Sequence, residues 1–167
     1  GVLLYLFGMS PFDALCHALT TLSSGGYSTK QASIGYWSSP FIHYTIIIGM
    51  IIAGINFSLI YFSFSQKSIK KFFKDEELRV YLITIAIFAC IIGIGLCIFN
   101  NCDTLSAIEN RFRSALFHVV SIMTTTGFAT EDYLQWPTVL WFLIVLLLCT
   151  GASAGSTSGG IKLIRLH

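Results

Sequence analysis

The hydrophobic residues of this chain come in long runs cut by short polar stretches, and the runs are of two lengths. Residues 1–9 are apolar and read as the last two turns of a transmembrane helix. Ser10-Pro11 is a helix start, serine as N-cap and proline in the first helical position. The helix that follows, Pro11 to Thr21, has about 11 residues. At ~1.5 Å per residue it covers half of a ~30 Å hydrocarbon core, so it enters a bilayer and turns back. After a polar, aromatic connection from Lys30 to Ser39, Ser39-Pro40 starts a second helix, and Phe41 to Phe64 carries no formal charge over a length that spans. Within it Gly49, Ala53 and Gly54 permit close helix contact, and Asn56 must face protein or water. Val80 to Phe99 is a second full span. Asn100 to Asn110 reads as a polar loop and Arg111 to Met123 as another short helix. Thr138 to Cys149 is strongly apolar but stops after roughly 12 residues, too few for a comfortable span.

The two short helices are followed by related loops. Thr20-Thr21-Leu22-Ser23-Ser24-Gly25-Gly26-Tyr27-Ser28-Thr29 is matched by Ser121-Ile122-Met123-Thr124-Thr125-Thr126-Gly127-Phe128-Ala129-Thr130 at an offset of 101 residues. The same offset sets Ala14 on Ala115, Leu15 on Leu116 and His17 on His118. Spanning segment, half-length helix, glycine loop and spanning segment thus recur in one order.

Composition changes the solvent. With 54% hydrophobic and 11% charged residues, and a mean hydropathy of +0.75, the chain is far below the ~25% charge of soluble domains. Most of its surface is therefore expected to meet lipid. The net charge of +2 gives no argument for nucleic acid. The five cysteines, Cys16, Cys90, Cys97, Cys102 and Cys149, show no metal-ligand spacing and read as small hydrophobes. The chain opens in mid-segment without a basic leader, as a piece of a longer protein does.

Where the charges lie gives an orientation. Lys67, Lys70, Lys71, Lys74, Arg79, Lys162 and Arg165 fall on one side with only three acidic residues. By the positive-inside rule that side is cytoplasmic. Both glycine loops then dip in from outside. Their mouth, with Lys30, Arg111 and Arg113 against Asp13, Asp103, Glu109, Glu131 and Asp132, is mildly acidic and favours cations. Glu131 and Asp132 either concentrate cations there or are solvated loop charges. His17 and His118 either serve as pore or proton groups or, as their place two turns before the loops favours, pack or hydrogen-bond behind them.

A loop after a half-membrane helix can aim successive backbone carbonyls at one axis, and rings of carbonyls replace the hydration shell of a cation. Small residues and glycine keep side chains clear of the axis. An aromatic residue directly after the glycine, Tyr27 or Phe128, can wedge the loop against neighbouring helices. The preceding helix points its partially negative end at the pore. Two enzyme patterns fail. Gly151-Ala152-Ser153-Ala154-Gly155 has the GxSxG spacing but follows a membrane helix, with no acidic residue after it. Gly155 to Gly160 resembles a phosphate loop, but Ile161 separates the glycine from Lys162. No enzyme chemistry is expected. The glycine-serine break in an apolar run is tolerated at membrane depth only where it is buried in protein or lines a watery cavity.

The order of transmembrane helix, pore helix, S-G-G-Y-S-T, transmembrane helix, T-T-T-G-F and G-A-S-A-G-S-T-S-G-G-I-K resembles the Trk/Ktr/HKT superfamily of potassium transporters, most closely its bacterial TrkH branch. The resemblance covers essentially the whole chain. It implies an all-α integral membrane protein of repeated pore units, four to a pore. Residues 1–64 are then most of the second unit, 65–79 a cytoplasmic connector and 80–167 the third unit. It also implies potassium held by main-chain carbonyls around Ser23, Ser24 and Gly25 and around Thr124, Thr125 and Thr126, with Gly26 and Gly127 as the filter glycines and Tyr27 and Phe128 as support. Ser24 and Tyr27 depart from the usual S-T-G-G-F-S-T, mildly, because coordination is by backbone. The resemblance makes Gly151, Ala152, Ser153, Ala154, Gly155, Ser156, Thr157, Ser158, Gly159 and Gly160 an intramembrane gate loop. It implies a multi-pass protein of the cell membrane, potassium as cargo with no cofactor, a homodimer of the full-length protein, and a cytoplasmic nucleotide-binding regulatory subunit similar to TrkA. The alternative is a secondary transporter that binds substrate at the broken helix.

Overall fold

The computed structural model describes residues 1–65, 75–100, 104–149, 151–153 and 155–159. Lys67, Lys70, Lys71, Lys74, Lys162 and Arg165, on which the orientation rests, lie outside the described residues, as do Ala154 and Gly160 of the glycine-serine run. The described chain is helical with no strand. Its helices are α1 (Val2–Leu6), α2 (Pro11–Leu22), α3 (Pro40–Ala53), α4 (Phe57–Ser65), α5 (Glu76–Phe99), α6 (Leu105–Met123) and α7 (Thr138–Cys149). Short 3-10 turns at Ser33–Tyr36 and Tyr133–Gln135 follow the two loops.

Local chemistry sets several of these ends. The Ser10 hydroxyl accepts the Asp13 N–H at 3.1 Å, with Pro11 at the first helical position, so α2 starts where the sequence puts it. The Asp75 carboxylate accepts the Leu78 N–H at 3.0 Å and caps α5. Glu76 and Glu77 occupy its positive first turn, so α5 begins inside the stretch that charge alone marks as connector. Its 24 residues extend about 36 Å. One stripe, Ile83, Ile87, Ile91, Ile94 and Ile98, is exposed, whereas Tyr81, Ile85, Ile92 and Leu96 on the other face are buried. A helix apolar on all sides and long enough to cross suits lipid on its outer face.

Two elements differ from the hydrophobic pattern. The run from Phe41 to Phe64 is not one helix, because it breaks at Gly54–Asn56 into α3 and α4. Asn56 Oδ1 accepts the Ser58 N–H at 2.9 Å, offering the backbone an alternative to the helical ladder. The freed groups find partners after α7: the Gly54 carbonyl accepts the Ser153 N–H and Phe57 N–H donates to the Gly155 carbonyl, each at 3.2 Å. The second difference is at α6, which begins at Leu105, so most of the expected Asn100–Asn110 loop is helix. Arg113 bonds Glu109 one turn back at 2.8 and 2.9 Å and also bonds Asn110, which ties these polar residues into helical turns. Only the second half of α6 is apolar and buried, with Ala115, Phe117, Val119, Val120 and Met123 at its core.

Helix α6 is the centre of the packing, with α5, α3 and α7 around it and α2 set against α3. Small residues allow the close crossings. A Cβ built on Gly49 would lie 2.8 Å from the Thr21 methyl, and one on Gly54 would lie 2.2 Å from the Tyr81 hydroxyl and 3.0 Å from the Thr124 methyl. Gly54 has ordinary φ, so its requirement is purely steric. Gly54→Ala is expected to destabilise the fold by about 1–3 kcal/mol, the cost of overpacking. The thermal midpoint in detergent should fall by several degrees and recover in the Gly54→Ala, Tyr81→Phe double variant. A double variant no better than the single one would place the strain elsewhere.

Candidate ion filter and intramembrane loop

Helices α2 and α6 end in the same way. Ser23 (φ −82°, ψ −2°) and Thr124 (φ −83°, ψ 0°) close the last helical turns. Ser24 and Thr125 then take φ of 52° and 55°, and Gly26 and Gly127 take 64° and 83°, while Gly25 and Thr126 between them have no positive φ. Each loop therefore alternates the sign of φ over four residues at equivalent positions. Alternation gives successive peptides the same sense, so N–H groups line one edge of the loop and carbonyls the other. The N–H edge is satisfied by the preceding helix. Ser24 and Gly25 donate to the carbonyls of Thr21 and Thr20 at 3.3 and 2.9 Å, and Thr125 and Thr126 donate to those of Ile122 and Ser121 at 3.0 and 2.9 Å. Among the described residues, the carbonyls of 23–26 and 124–127 accept no hydrogen bond. Two non-glycine residues in the left-handed region cost on the order of 1–3 kcal/mol each, and the matched strain marks the loops as built for a purpose.

The loops abut. A Cβ on Gly26 would sit 1.8 Å from the Thr126 carbonyl oxygen, whereas Gly127 faces open space. The connection is reinforced outside the loops, where the Gly35 N–H donates to the Ala129 carbonyl at 3.1 Å and the Ala129 N–H to Ser33 Oγ at 3.3 Å. Of the two aromatic residues expected to wedge the loops, Phe128 is buried, its ring centre 5.8 Å from that of His17 in the preceding unit. Tyr27 is 79% exposed, so its side chain is not wedged within this chain.

His17 and His118 both lie behind the loops. His17 Nδ1 is 2.7 Å from the Asp13 carbonyl and Nε2 2.9 Å from Ser28 Oγ. A neutral ring satisfies both, donating to the carbonyl and accepting from the hydroxyl. His118 sits between two carbonyls, Ser114 at 2.9 Å and Glu131 at 3.1 Å, and a neutral ring donates to only one of them. Trp37 and Trp136 meet the two rings edge-on at 5.1 and 5.0 Å. The described acidic residues of the mouth are engaged, whereas Asp103 lies outside the described residues. Glu131 accepts from the Ser114 hydroxyl at 2.5 Å, from Trp136 Nε1 at 3.1 Å and from Arg111 at 3.4 Å. Asp132 accepts the Leu134 N–H at 3.0 Å. Asp13 accepts from the Thr29 hydroxyl at 2.6 Å, and that bond, foremost among its surroundings, holds its carboxyl below the usual carboxylate range.

The interruption after α7 lies against both loops. Thr157 Oγ1 is 2.7 Å from Ser24 Oγ and 3.2 Å from the Ala53 carbonyl, and the Gly159 N–H donates to Thr125 Oγ1 at 2.7 Å. The Ser156 hydroxyl donates to the Ser153 carbonyl at 2.6 Å, and Ser153 is buried at 1% exposure, no place for a nucleophile. Sequence reasoning missed that the α3–α4 break is the partner of this interruption. The Gly54-Ile55-Asn56 step inside an apolar run was the available signal.

A family model described as TrkH, cation transport protein, matches residues 4–167, nearly the whole chain. The chain belongs to the TrkH family. Among curated relatives, the TrkH potassium uptake proteins of Salmonella typhimurium and Escherichia coli K12 are each 39% identical over 98% of this chain and 33% of their own length. The Escherichia coli protein TrkG is 34% identical over 96% of the chain. The crystal structure of the potassium transporter TrkH from Vibrio parahaemolyticus superposes with a TM-score of 0.91 at 34% identity, over 99% of this chain and 35% of that one. The TrkH-family chain thus spans about a third of the length of the relatives it matches. The all-α membrane fold with repeated pore units, expected from the sequence, is the fold of that transporter.

Proposed function

We propose that this chain supplies the second and third of four pore units in a potassium uptake protein of the cell membrane. Ser23–Gly26 and Thr124–Gly127 would line the ion path with backbone carbonyls. The observation that carries this reading is the pair of loops with matched φ alternation, their N–H edges bonded to the preceding helices and their carbonyl edges unbonded among the described residues. Carbonyls so arranged replace water around a cation without side-chain charge. The exposed Tyr27 and the open space beside Gly127 suit a ring continued by units on either side. The glycine-serine interruption, bonded to both loops, is the gate in this reading. The outward orientation of the filter, the homodimer and the cytoplasmic nucleotide-binding regulatory subunit belong to the same proposal and draw on the family resemblance.

The test is rubidium uptake by cells expressing the full-length protein, with sodium as competitor and no organic solute. Uptake under those conditions favours the pore over a secondary transporter of organic substrates. Gly127→Ser puts a side chain on a residue at φ 83°. It is expected to lower discrimination between potassium and sodium by about tenfold, equivalent to ~1.4 kcal/mol of strain in the carbonyl ring. Unchanged discrimination would remove Gly127 from the filter.

A further inference from the structure

Each loop is tied to its own pore helix at both ends. At its start, loop N–H groups bond the last carbonyls of the helix. At its outer end a short bond joins a carboxylate and a hydroxyl, and the two partners change places between the units. In the first unit the carboxylate is on the helix, Asp13, and the hydroxyl on the loop, Thr29, at 2.6 Å with Lys30 beside them at 3.9 Å. In the second the hydroxyl is on the helix, Ser114, and the carboxylate on the loop, Glu131, at 2.5 Å with Arg111 beside them at 3.4 Å. Asp13 and Ser114 are equivalent at the 101-residue offset, and so are Lys30 and Glu131. The exchange leaves a trace. Thr130, the counterpart of Thr29, keeps its hydroxyl, but that oxygen is buried with no partner among the described residues, Ser114 being turned to Glu131 instead.

We propose that Asp13 and Glu131 are positioning residues for the filter: each fixes the outer end of its loop through a clamp of reversed polarity, and the clamps set how well the carbonyl edges discriminate between cations. The proposal rests on the filter reading above. The clamps lie close to the carbonyl edge, with Gly26 three residues before Thr29 and Gly127 four before Glu131. In each the helix-side partner is buried, Asp13 at 8% and Ser114 at 9% exposure, whereas the loop-side partners Thr29 and Glu131 are exposed and half-buried. Hydrogen bonds to an ionised carboxylate are the short, strong kind, suited to holding a loop whose own conformation is strained. Both carboxylates touch the backs of the loops, so their contribution is geometric and not a charge offered to the ion.

The full-length transporter tests this through the ratio of rubidium uptake with and without competing sodium, normalised to protein in the membrane. D13A and E131A are expected to lose discrimination by at least about tenfold, the scale of one charge-assisted bond, with E131A also losing the bonds from Trp136 Nε1 and Arg111. D13N and E131Q keep an acceptor oxygen and should stay within about threefold of the unaltered protein, because a neutral bond is roughly half as strong. The decisive pair is E131K against S114D/E131K. The single variant sets an ammonium near Arg111 and leaves Ser114 without its acceptor. The double variant rebuilds the first unit's clamp in the second, with Thr130 as donor to the carboxylate introduced at position 114, and should regain at least half of the lost discrimination. Alanine variants that discriminate like the unaltered protein would overturn the proposal, and so would a double variant no better than E131K. Alanine, amide and swapped variants that all fail to reach the membrane would assign these residues to folding and overturn it as well. An unaltered ratio in Gly127→Ser would instead fail the filter reading, and the clamp with it.

Discussion

Replacing Gly26 by alanine is expected to reduce rubidium uptake by at least about tenfold at equal protein in the membrane, a larger effect than Gly127→Ser has on selectivity. Two costs coincide. The left-handed φ of 64° costs an alanine roughly 1–2 kcal/mol. The added carbon would also sit 1.8 Å from the Thr126 carbonyl oxygen, where a relaxed C–H···O contact is about 3.3–3.6 Å. One loop must therefore move by about 1.5 Å. Neither is free to do so, since the Gly25 and Thr126 N–H groups are each bonded at 2.9 Å to their own helices. The displaced atom is a carbonyl of the proposed ion path, so strain appears as lost conduction before it appears as lost folding. Uptake within twofold of the unaltered protein would mean that the loops do not meet at the pore. Gly127→Ala is the informative companion. Within this chain it meets open space and bears only the φ cost. If it proves as damaging as Gly26→Ala, another loop lies against Gly127 in the full-length protein.

What could be read from the sequence, and what could not, follows from range. The starts of α2 and α3 were legible because Ser-Pro sets them locally. The repeat was legible because Gly26 and Gly127 stand in local sequence of the same character, small and hydroxyl-bearing before the glycine and aromatic after it, and the same four-residue alternation of φ follows. The break between α3 and α4 left only the Gly54-Ile55-Asn56 step as a local signal, because its orphaned backbone groups are satisfied by Ser153 and Gly155, about a hundred positions away. Helix α6 was underestimated because Glu109 and Asn110 look like loop residues until Arg113, already inside the expected helix, is seen to bond both. The contrast between buried Phe128 and exposed Tyr27 could not be read at all. The two residues are locally equivalent, but only Phe128 has a preceding unit within the chain, contributing His17, to pack against. Asp13 and Glu131 were visible only as charges at a mouth. Their exchange of partners appears once the helices set Thr29 and Ser114 beside them.

Removing Ser156-Thr157-Ser158 is expected to raise potassium flux by about tenfold, and Thr157→Val to raise it about fivefold. The grading follows from the contacts. Thr157 links the interruption to Ser24 Oγ at 2.7 Å and to the Ala53 carbonyl at 3.2 Å, and valine keeps the shape while losing both. The side chain is exposed, so each bond adds only about 0.5 kcal/mol, and losing ~1 kcal/mol shifts a closed–open balance about fivefold. The deletion also takes away the Ser156 bond to the Ser153 carbonyl, which holds the loop's own turn. Gly159 remains bonded to Thr125 in the valine variant, so the loop proposed as the filter keeps its support and selectivity should be preserved while flux rises. That combination separates a gate from a foundation. If the interruption served only to support the filter, loosening it would lower both flux and selectivity, and if it were merely a helix end packed against α3 and α4, neither would change. Higher flux with unchanged sodium discrimination is the result that the gate reading alone requires.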